Sequence, residues 1–211
     1  KDEFLKDKPA TERITFLNEG VLELKKAVSI YPLFADAYNQ IGMAYYKKKE
    51  FDTSRVIKSK LLDTAAFFYS KALEINPTNP TFHNNLGATL FTHGDYTGAV
   101  KEFETAVKYN PEYADALINI ASVYGTFGEQ FAAQAKFETA NNNQEKAAKS
   151  TTQSRKNFES AIMYFKKTID SDPSFAKAYY FLGITYRSIG DEENSQKYIL
   201  LASQLDPNYK L

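Results

Sequence analysis

The stretch HNNLGATLFTHGDY, residues 83–96, carries the pattern that decides the fold of this chain. Leu86 is followed by Gly87 and, three residues later, by Leu90, so one small and two bulky apolar side chains share a helix face. The glycine lets a neighbouring helix approach closely, and the bulky residues fill the remaining space. A second glycine, Gly94, is predicted to end the helix because glycine readily takes the left-handed conformation found there.

The same pattern recurs three more times along the chain. The copies are YNQIGMAYYKKKEF (38–51), LINIASVYGTFGEQ (117–130) and YFLGITYRSIGDEE (180–193). The close-contact position holds Gly42, Gly87, Ala121 and Gly183, and the predicted turn position holds Gly94, Gly128 and Gly190. A helix signature that returns at long intervals indicates an array of similar helical units.

A second kind of helix ends at a proline in five places. Proline ends a helix because it lacks a backbone donor and restricts the residue before it. The endings are AVSIYP, ALEINP, AVKYNP, TIDSDP and ASQLDP, which finish at Pro32, Pro77, Pro111, Pro173 and Pro207. Ahead of each proline lie a small, a bulky apolar and a small residue, as in Ala99, Phe103 and Ala106. These positions share one face, so this helix can pack against the first kind.

In combination, these positions resemble the tetratricopeptide repeat, a unit of two antiparallel helices. Pro77 and Pro111 are 34 residues apart, as are Pro173 and Pro207, and 34 is the length of that repeat. The resemblance implies an all-α fold, a right-handed α-solenoid of antiparallel helix pairs with extended or inserted helices in two repeats. It also implies a scaffold that binds a protein or peptide partner, and not an enzyme.

Two of the proline spacings exceed the repeat length. Pro32 and Pro77 are 45 residues apart, an excess of 11, and Pro111 and Pro173 are 62 apart, an excess of 28. The second excess is either an insertion or an extra degenerate repeat within 129–172, because 141–157 contains no large apolar residue. We expect one array over residues 1–211, with a lone leading helix at 11–31 and repeats at 35–79, 80–113, 114–175 and 176–209.

Composition narrows the possible partners. The 26 basic and 26 acidic residues balance, which leaves no charge signature for nucleic acid. The chain has no cysteine, and no apolar run is long enough to insert into a membrane. We interpret the basic run at 47–49 as a solvated helix end. We expect a soluble piece of a longer chain, from a bacterial cytoplasm or periplasm.

No arrangement of residues predicts catalysis, and we expect no metal or cofactor. His83 and His93 lie on different faces of one helix, which favours structural or surface roles. The acidic segments 170–172 and 191–193 suit helix capping better than cation binding.

First helices line the concave side of tetratricopeptide arrays, so their residues outside the core are predicted to face a peptide groove. Gln40, Asn85 and Asn119 each precede the apolar–small pair, and a primary amide can pair with a peptide bond in two places. This column resembles the asparagine ladder of the O-GlcNAc transferase superhelix. The other predicted groove residues are Asn39, Met43, Tyr46, Asn84, Phe91, Ser122, Tyr180 and Arg187. A chaperone-type carboxylate clamp is not expected, because Thr92 and Thr126 follow Lys47 at the equivalent positions.

The alternative function is structural. The array would serve as a self-assembly or spacer domain of a larger protein, with a homo-oligomer formed through an exposed end face, since solenoid ends usually need a polar cap. In this interpretation the chain resembles the repeat tails of membrane-anchored bacterial glycosyltransferases.

Overall fold

The structure, a computed structural model, describes residues 8–209, and every regular element in that range is a helix. The chain divides into two compact units, Lys1–Tyr109 and Asn110–Leu211. The first unit contains α1 (Ala10–Ile30), α2 (Ala35–Lys48), a short 3-10 helix (Lys49–Phe51), α3 (Arg55–Ile75), α4 (Pro80–His93) and α5 (Tyr96–Tyr109). The second unit contains α6 (Ala114–Ala140), α7 (Gln144–Ser171), α8 (Ala176–Ser188) and α9 (Glu192–Leu205). The assignment of these helices to repeats stays a prediction.

Local sequence signals set both ends of α4. Asn79 caps the N-terminus, because its side-chain oxygen accepts hydrogen bonds from the backbone N–H groups of Thr81 at 2.9 Å and Phe82 at 3.3 Å. Pro80 follows at the first helical position, where a missing N–H has no consequence. At the other end Gly94 adopts a φ of 99°, so the prediction of a left-handed glycine is confirmed there.

A glycine on one helix and a ring on the next bring each helix pair of the first unit together. A Cβ atom on Gly42 would lie 2.8 Å from the ring of Tyr69, and one on Gly87 would lie 2.7 Å from the ring of Phe103. Both rings are almost completely buried. Burial raises the pKa of the Tyr69 hydroxyl, and the neighbouring Tyr46 adds to this effect.

The longest helices of the chain form one pair in the second unit. α6 has 27 residues and α7 has 28, whereas α4 and α5 have 14 each. Small residues on each helix are buried at seven-residue intervals; they are Ala121, Gly128 and Ala135 on α6, and Ala147, Ser154 and Ala161 on α7. Seven residues is the spacing of a coiled coil. Both helices therefore continue together for about two heptads beyond the usual length.

The prediction that Gly128 ends a helix is wrong. Gly128 lies buried inside α6, and among residues 8–209 the glycines with a positive φ are Gly94 and Gly190. The residue that follows decides the difference. After Gly94 and Gly190, the carboxylates of Asp95 and Asp191 accept hydrogen bonds from backbone N–H groups of the next helix. Glutamate follows Gly128 instead, and the helix continues.

The last pair, α8 and α9, repeats the packing of the first unit. A Cβ atom on Gly183 would lie 2.6 Å from the side chain of Ile199. The turn between the helices has Gly190 at a φ of 83°, and Asp191 caps α9. Hydrogen bonds from the side chain and backbone of Asn194 lower the pKa of Asp191. No helix within residues 8–209 combines the length and the apolar character that a membrane crossing requires.

Candidate functional site

Two side-chain hydrogen bonds join α2 and α4 in the first unit. Asn85 Nδ2 donates to Asn39 Oδ1 at 2.9 Å, and the hydroxyl oxygens of Tyr46 and Thr92 lie 3.0 Å apart. Both bonds link residues that are 46 positions apart, and they lie about two helical turns from each other. The two helices are therefore fixed in one register. We call Gln40, Met43 and Tyr46 on α2, with Asn85 and Thr92 on α4, the α2–α4 face.

The predicted groove amides of the first unit differ in exposure. Asn39 and Asn84 are buried, with 7% and 8% of their surface exposed. Asn39 also donates to the sulfur of Met43 at 3.7 Å, so its polar groups bind within the unit. Gln40 is exposed, and Met43 is exposed over 39% of its surface. The amide of Gln40 is thus at the surface, whereas the Asn85 side chain already donates one hydrogen bond to Asn39.

The two predicted aromatic groove residues of this unit have neighbours of their own. Lys49 Nζ lies 4.0 Å from the centroid of the Tyr46 ring, which places a cation over that face. Phe91 is half-buried and contacts Tyr96, with centroids 5.5 Å apart. Neither ring is a bare apolar surface.

The second unit holds the remaining predicted groove residues on α6 and α8. Asn119 and Ser122 are half-buried on α6, and the Ser122 hydroxyl donates to a backbone carbonyl of its own helix at 2.8 Å. Tyr180 on α8 packs against Tyr209, with ring centroids 5.0 Å apart. Arg187 is exposed. Arg187 is therefore the most accessible of the four.

Sequence reasoning missed a cluster of lysines on aromatic rings in the first unit. It contains Lys25 from α1, Tyr45 and Lys48 from α2, and Phe68 from α3. The basic run at 47–49 is the part of the sequence that points to this cluster, although its pattern predicts a solvated helix end. In the structure all three lysines of that run are half-buried.

Both histidines make contacts that join helices. His83 Nδ1 lies 2.7 Å from the Glu102 carboxylate, and its Nε2 lies 2.9 Å from a backbone carbonyl oxygen. His93 Nε2 lies 3.1 Å from the Ser59 hydroxyl and 3.2 Å from the Asp63 carboxylate. In the part of the chain that the structure describes, no three metal-ligating side chains converge.

The structure therefore consists of helix pairs, and in the first unit two hydrogen bonds hold α2 and α4 in register. Sequence models of one family match the chain: a TPR repeat model covers residues 62–94 and 89–128, and a tetratricopeptide repeat model covers 176–209. A crystal structure of MamA protein matches with a TM-score of 0.62 at 19% identity, over 96% of both chains. TTC0263, a TPR protein of Thermus thermophilus, matches with a TM-score of 0.56 at 17% identity, over 79% of this chain and 75% of its own.

These matches confirm the predicted fold class. The chain contains tetratricopeptide repeats over residues 62–128 and 176–209. This fold is in general a non-catalytic scaffold for protein interactions.

Curated relatives match over shorter stretches. The TPR repeat-containing thioredoxin TTL4 of Arabidopsis thaliana is 38% identical over 65 residues, which is 31% of this chain and 10% of the relative. DnaJ homolog subfamily C member 7 of Homo sapiens is 25% identical over 140 residues, 65% of this chain and 25% of the relative. Stress-induced-phosphoprotein 1 of Caenorhabditis elegans is 31% identical over 100 residues, 47% of this chain and 28% of the relative. The alignments thus span about a quarter or less of most of these relatives.

Proposed function

We propose that this protein is an interaction scaffold that binds an extended protein or peptide segment on the α2–α4 face. The observation that carries the proposal is the exposed pair Gln40 and Met43 beside a row of side chains fixed by hydrogen bonds. A face that is already ordered loses less conformational entropy when a partner binds.

Each exposed residue of this pair offers a different contact. The Gln40 amide has both donors and an acceptor, so it suits the backbone of an extended peptide. The Met43 thioether is adaptable and polarizable, so it suits apolar side chains of varied shape. One backbone hydrogen bond contributes only about 0.5–1.5 kcal/mol, so Met43 is expected to supply much of the affinity. We extend the backbone-pairing role to Asn119 in the second unit, as a proposal from its place in the sequence pattern.

Selection from a random peptide library displayed on phage tests this proposal. Peptides selected on the protein are titrated against Gln40→Ala and Met43→Glu, which alter exposed side chains and leave the Asn39–Asn85 bond in place. Glu104→Ala is the matched control, because Glu104 is exposed on α5, away from this row. We expect the two face variants to weaken binding by about ten-fold and the control to leave it unchanged. Selected peptides that bind all variants equally would contradict the proposal.

A second candidate function is self-assembly, and exposed apolar residues between α1 and α2 favour it. Ile30, Tyr31 and Leu33 are 67%, 69% and 80% exposed, an unusual density for a monomer surface. Leu33→Ser is expected to lower the mean mass measured by light scattering if this turn joins two copies. A mass that stays that of one chain at all concentrations, before and after the change, would remove this candidate.

A further inference from the structure

Four side chains from three helices meet in the first unit, apart from the α2–α4 face. The rings of Tyr45 and Phe68 stack at an angle of 4°, with centroids 5.7 Å apart. Lys25 Nζ lies 6.0 Å and 5.9 Å from these two centroids, and Lys48 Nζ lies 4.6 Å from that of Tyr45. Two ammonium groups therefore share one pair of stacked rings. We call these four residues the lysine–aromatic cluster.

The rings of the cluster rest on the core of the first unit. Tyr45 and Phe68 pack against the buried residues Val21, Ile41 and Ala44, which come from α1 and α2. The two rings that contact the ammonium groups are therefore held by the packed core. The positions of these rings are fixed by close packing.

The cluster carries positive charge without a carboxylate. Within residues 8–209 neither Lys25 nor Lys48 forms an ion pair or a hydrogen bond. Lys26, the next residue on α1, does pair, with Glu23 at 2.8 Å. Burial lowers the pKa of Lys48, and the charge of Lys25 lowers it further. Burial is the larger cause, and the second is the repulsion between two nearby cations.

Local effects compensate these charges only in part. Lys48 lies in the last turn of α2, where the helix carbonyls carry about half a negative charge. Lys25 lies more than one turn before Ile30 ends α1, so it gains little from that effect. The aromatic faces attract both cations, but a ring carries no net charge. The cluster therefore keeps a net positive charge at the surface, where Lys25 is exposed.

We propose that the lysine–aromatic cluster binds the carboxylate side chains of an acidic protein segment. Each ammonium group can donate to a carboxylate oxygen, which supplies the absent countercharge. The stacked rings offer apolar surface to the methylene groups of glutamate, a contact that inorganic phosphate lacks. The proposal adds a second surface with a stated partner chemistry, and it stands independently of peptide binding on the α2–α4 face.

Titration of the protein with a hexaglutamate peptide tests the proposal, with NMR detection of the aromatic ring signals. We expect the signals of Tyr45 and Phe68 to shift on binding. Lys25→Gln and Lys48→Gln should each weaken the affinity by about three-fold, and the double variant by about ten-fold. Added salt should weaken binding in the unchanged protein, because exposed charges are screened.

Two variants and one competing anion make the outcome decisive. Lys26→Gln changes the charge of the same helix by the same amount, and we expect it to bind hexaglutamate as the unchanged protein does. The phage-selected peptides should bind Lys25→Gln as they bind the unchanged protein, which separates a failure here from a failure of the α2–α4 face. Equal losses in Lys26→Gln, unshifted ring signals, or tighter binding of inorganic phosphate than of hexaglutamate would each overturn the proposal.

Discussion

The ring of Phe158 on α7 occupies the space that a Cβ atom on Gly128 of α6 would need, 2.6 Å from two of its ring carbons. The Ser154 hydroxyl donates to the carbonyl oxygen of Gly128 at 2.8 Å, a buried hydrogen bond beside that contact. The same kind of close approach joins Gly42 to Tyr69 in the first unit. The extension of α6 and α7 therefore uses the packing of an ordinary helix pair, about two turns further along.

Gly128→Ala is expected to destabilise the protein. The added methyl group meets a phenyl ring that is only 4% exposed and has little room to move. Overpacking of this kind costs about 1–3 kcal/mol, and the higher helix propensity of alanine offsets up to about 1 kcal/mol of it. Urea denaturation followed by circular dichroism measures the net change in unfolding free energy.

Gly125→Ala is the matched control for that measurement, because Gly125 lies on the same helix. A Cβ atom there has no heavy atom within 4 Å, so we expect a gain of up to about 1 kcal/mol from helix propensity alone. If both substitutions change the unfolding free energy in the same direction and by the same amount, the close contact between Gly128 and Phe158 does not contribute to stability.

The sequence predicts the helix pairs well, because the small and aromatic residues that form contacts such as Gly87 with Phe103 recur at regular positions in the sequence. It predicts extended or inserted helices in two repeats, but it does not specify that α6 and α7 lengthen together. That extension buries small residues such as Ala135 and Ala147, and a column of alanines and serines has little hydrophobic contrast with an exposed polar helix. For the same reason the sequence left the alternatives for residues 129–172 open.

Ser195→Ala is expected to stabilise the protein by about 1 kcal/mol. The hydroxyl of Ser195 is fully buried in α9, and it has no hydrogen-bond partner among residues 8–209. An unsatisfied buried polar group costs more than the apolar group that replaces it. Ser154→Ala provides the opposite case, because its hydroxyl is bonded to Gly128, and we expect it to lose about 1 kcal/mol. Denaturation midpoints that move together for the two variants would contradict this explanation.

Asn142 forms the turn between α6 and α7 with a φ of 59°, the one positive φ outside glycine among residues 8–209. Asn142→Gly should keep the turn unchanged, because glycine enters this conformation freely. Asn142→Ala should weaken it by about 1 kcal/mol, because alanine lacks the short polar side chain whose local hydrogen bonds let asparagine tolerate the left-handed conformation. Hydrogen exchange of the Asn143 amide, which donates to the Glu138 carbonyl at 2.9 Å, reports the change locally. Equal exchange in the two variants would show that the turn is not strained.

The candidate site was less predictable than the fold. Asn39 and Gln40 are adjacent in sequence, and the pattern placed both in the groove, but Asn39 is buried against α4 and Gln40 is exposed. Which of the two side chains is buried depends on how α2 packs against α4. That packing includes the Asn39–Asn85 hydrogen bond, which joins residues 46 positions apart. The lysine–aromatic cluster also joins three helices, so the basic run at 47–49 indicates only one of its members, Lys48.

Lys25→Gln is expected to raise the pKa of Lys48 towards its ordinary value. Burial, the larger cause of the lowered pKa, remains in the variant, so the recovery should be partial. A folded-state pKa below the unfolded one means that the unfolded chain binds more protons between those two values. Stability contributed by Lys48 therefore rises as the pH increases through that window, and Lys25→Gln should narrow the window. Titration of Lys48 Nζ by nitrogen-detected NMR measures the shift directly, with Lys26→Gln as the control that leaves it unchanged. An identical Lys48 titration in the Lys25→Gln variant would show that the two ammonium groups do not interact.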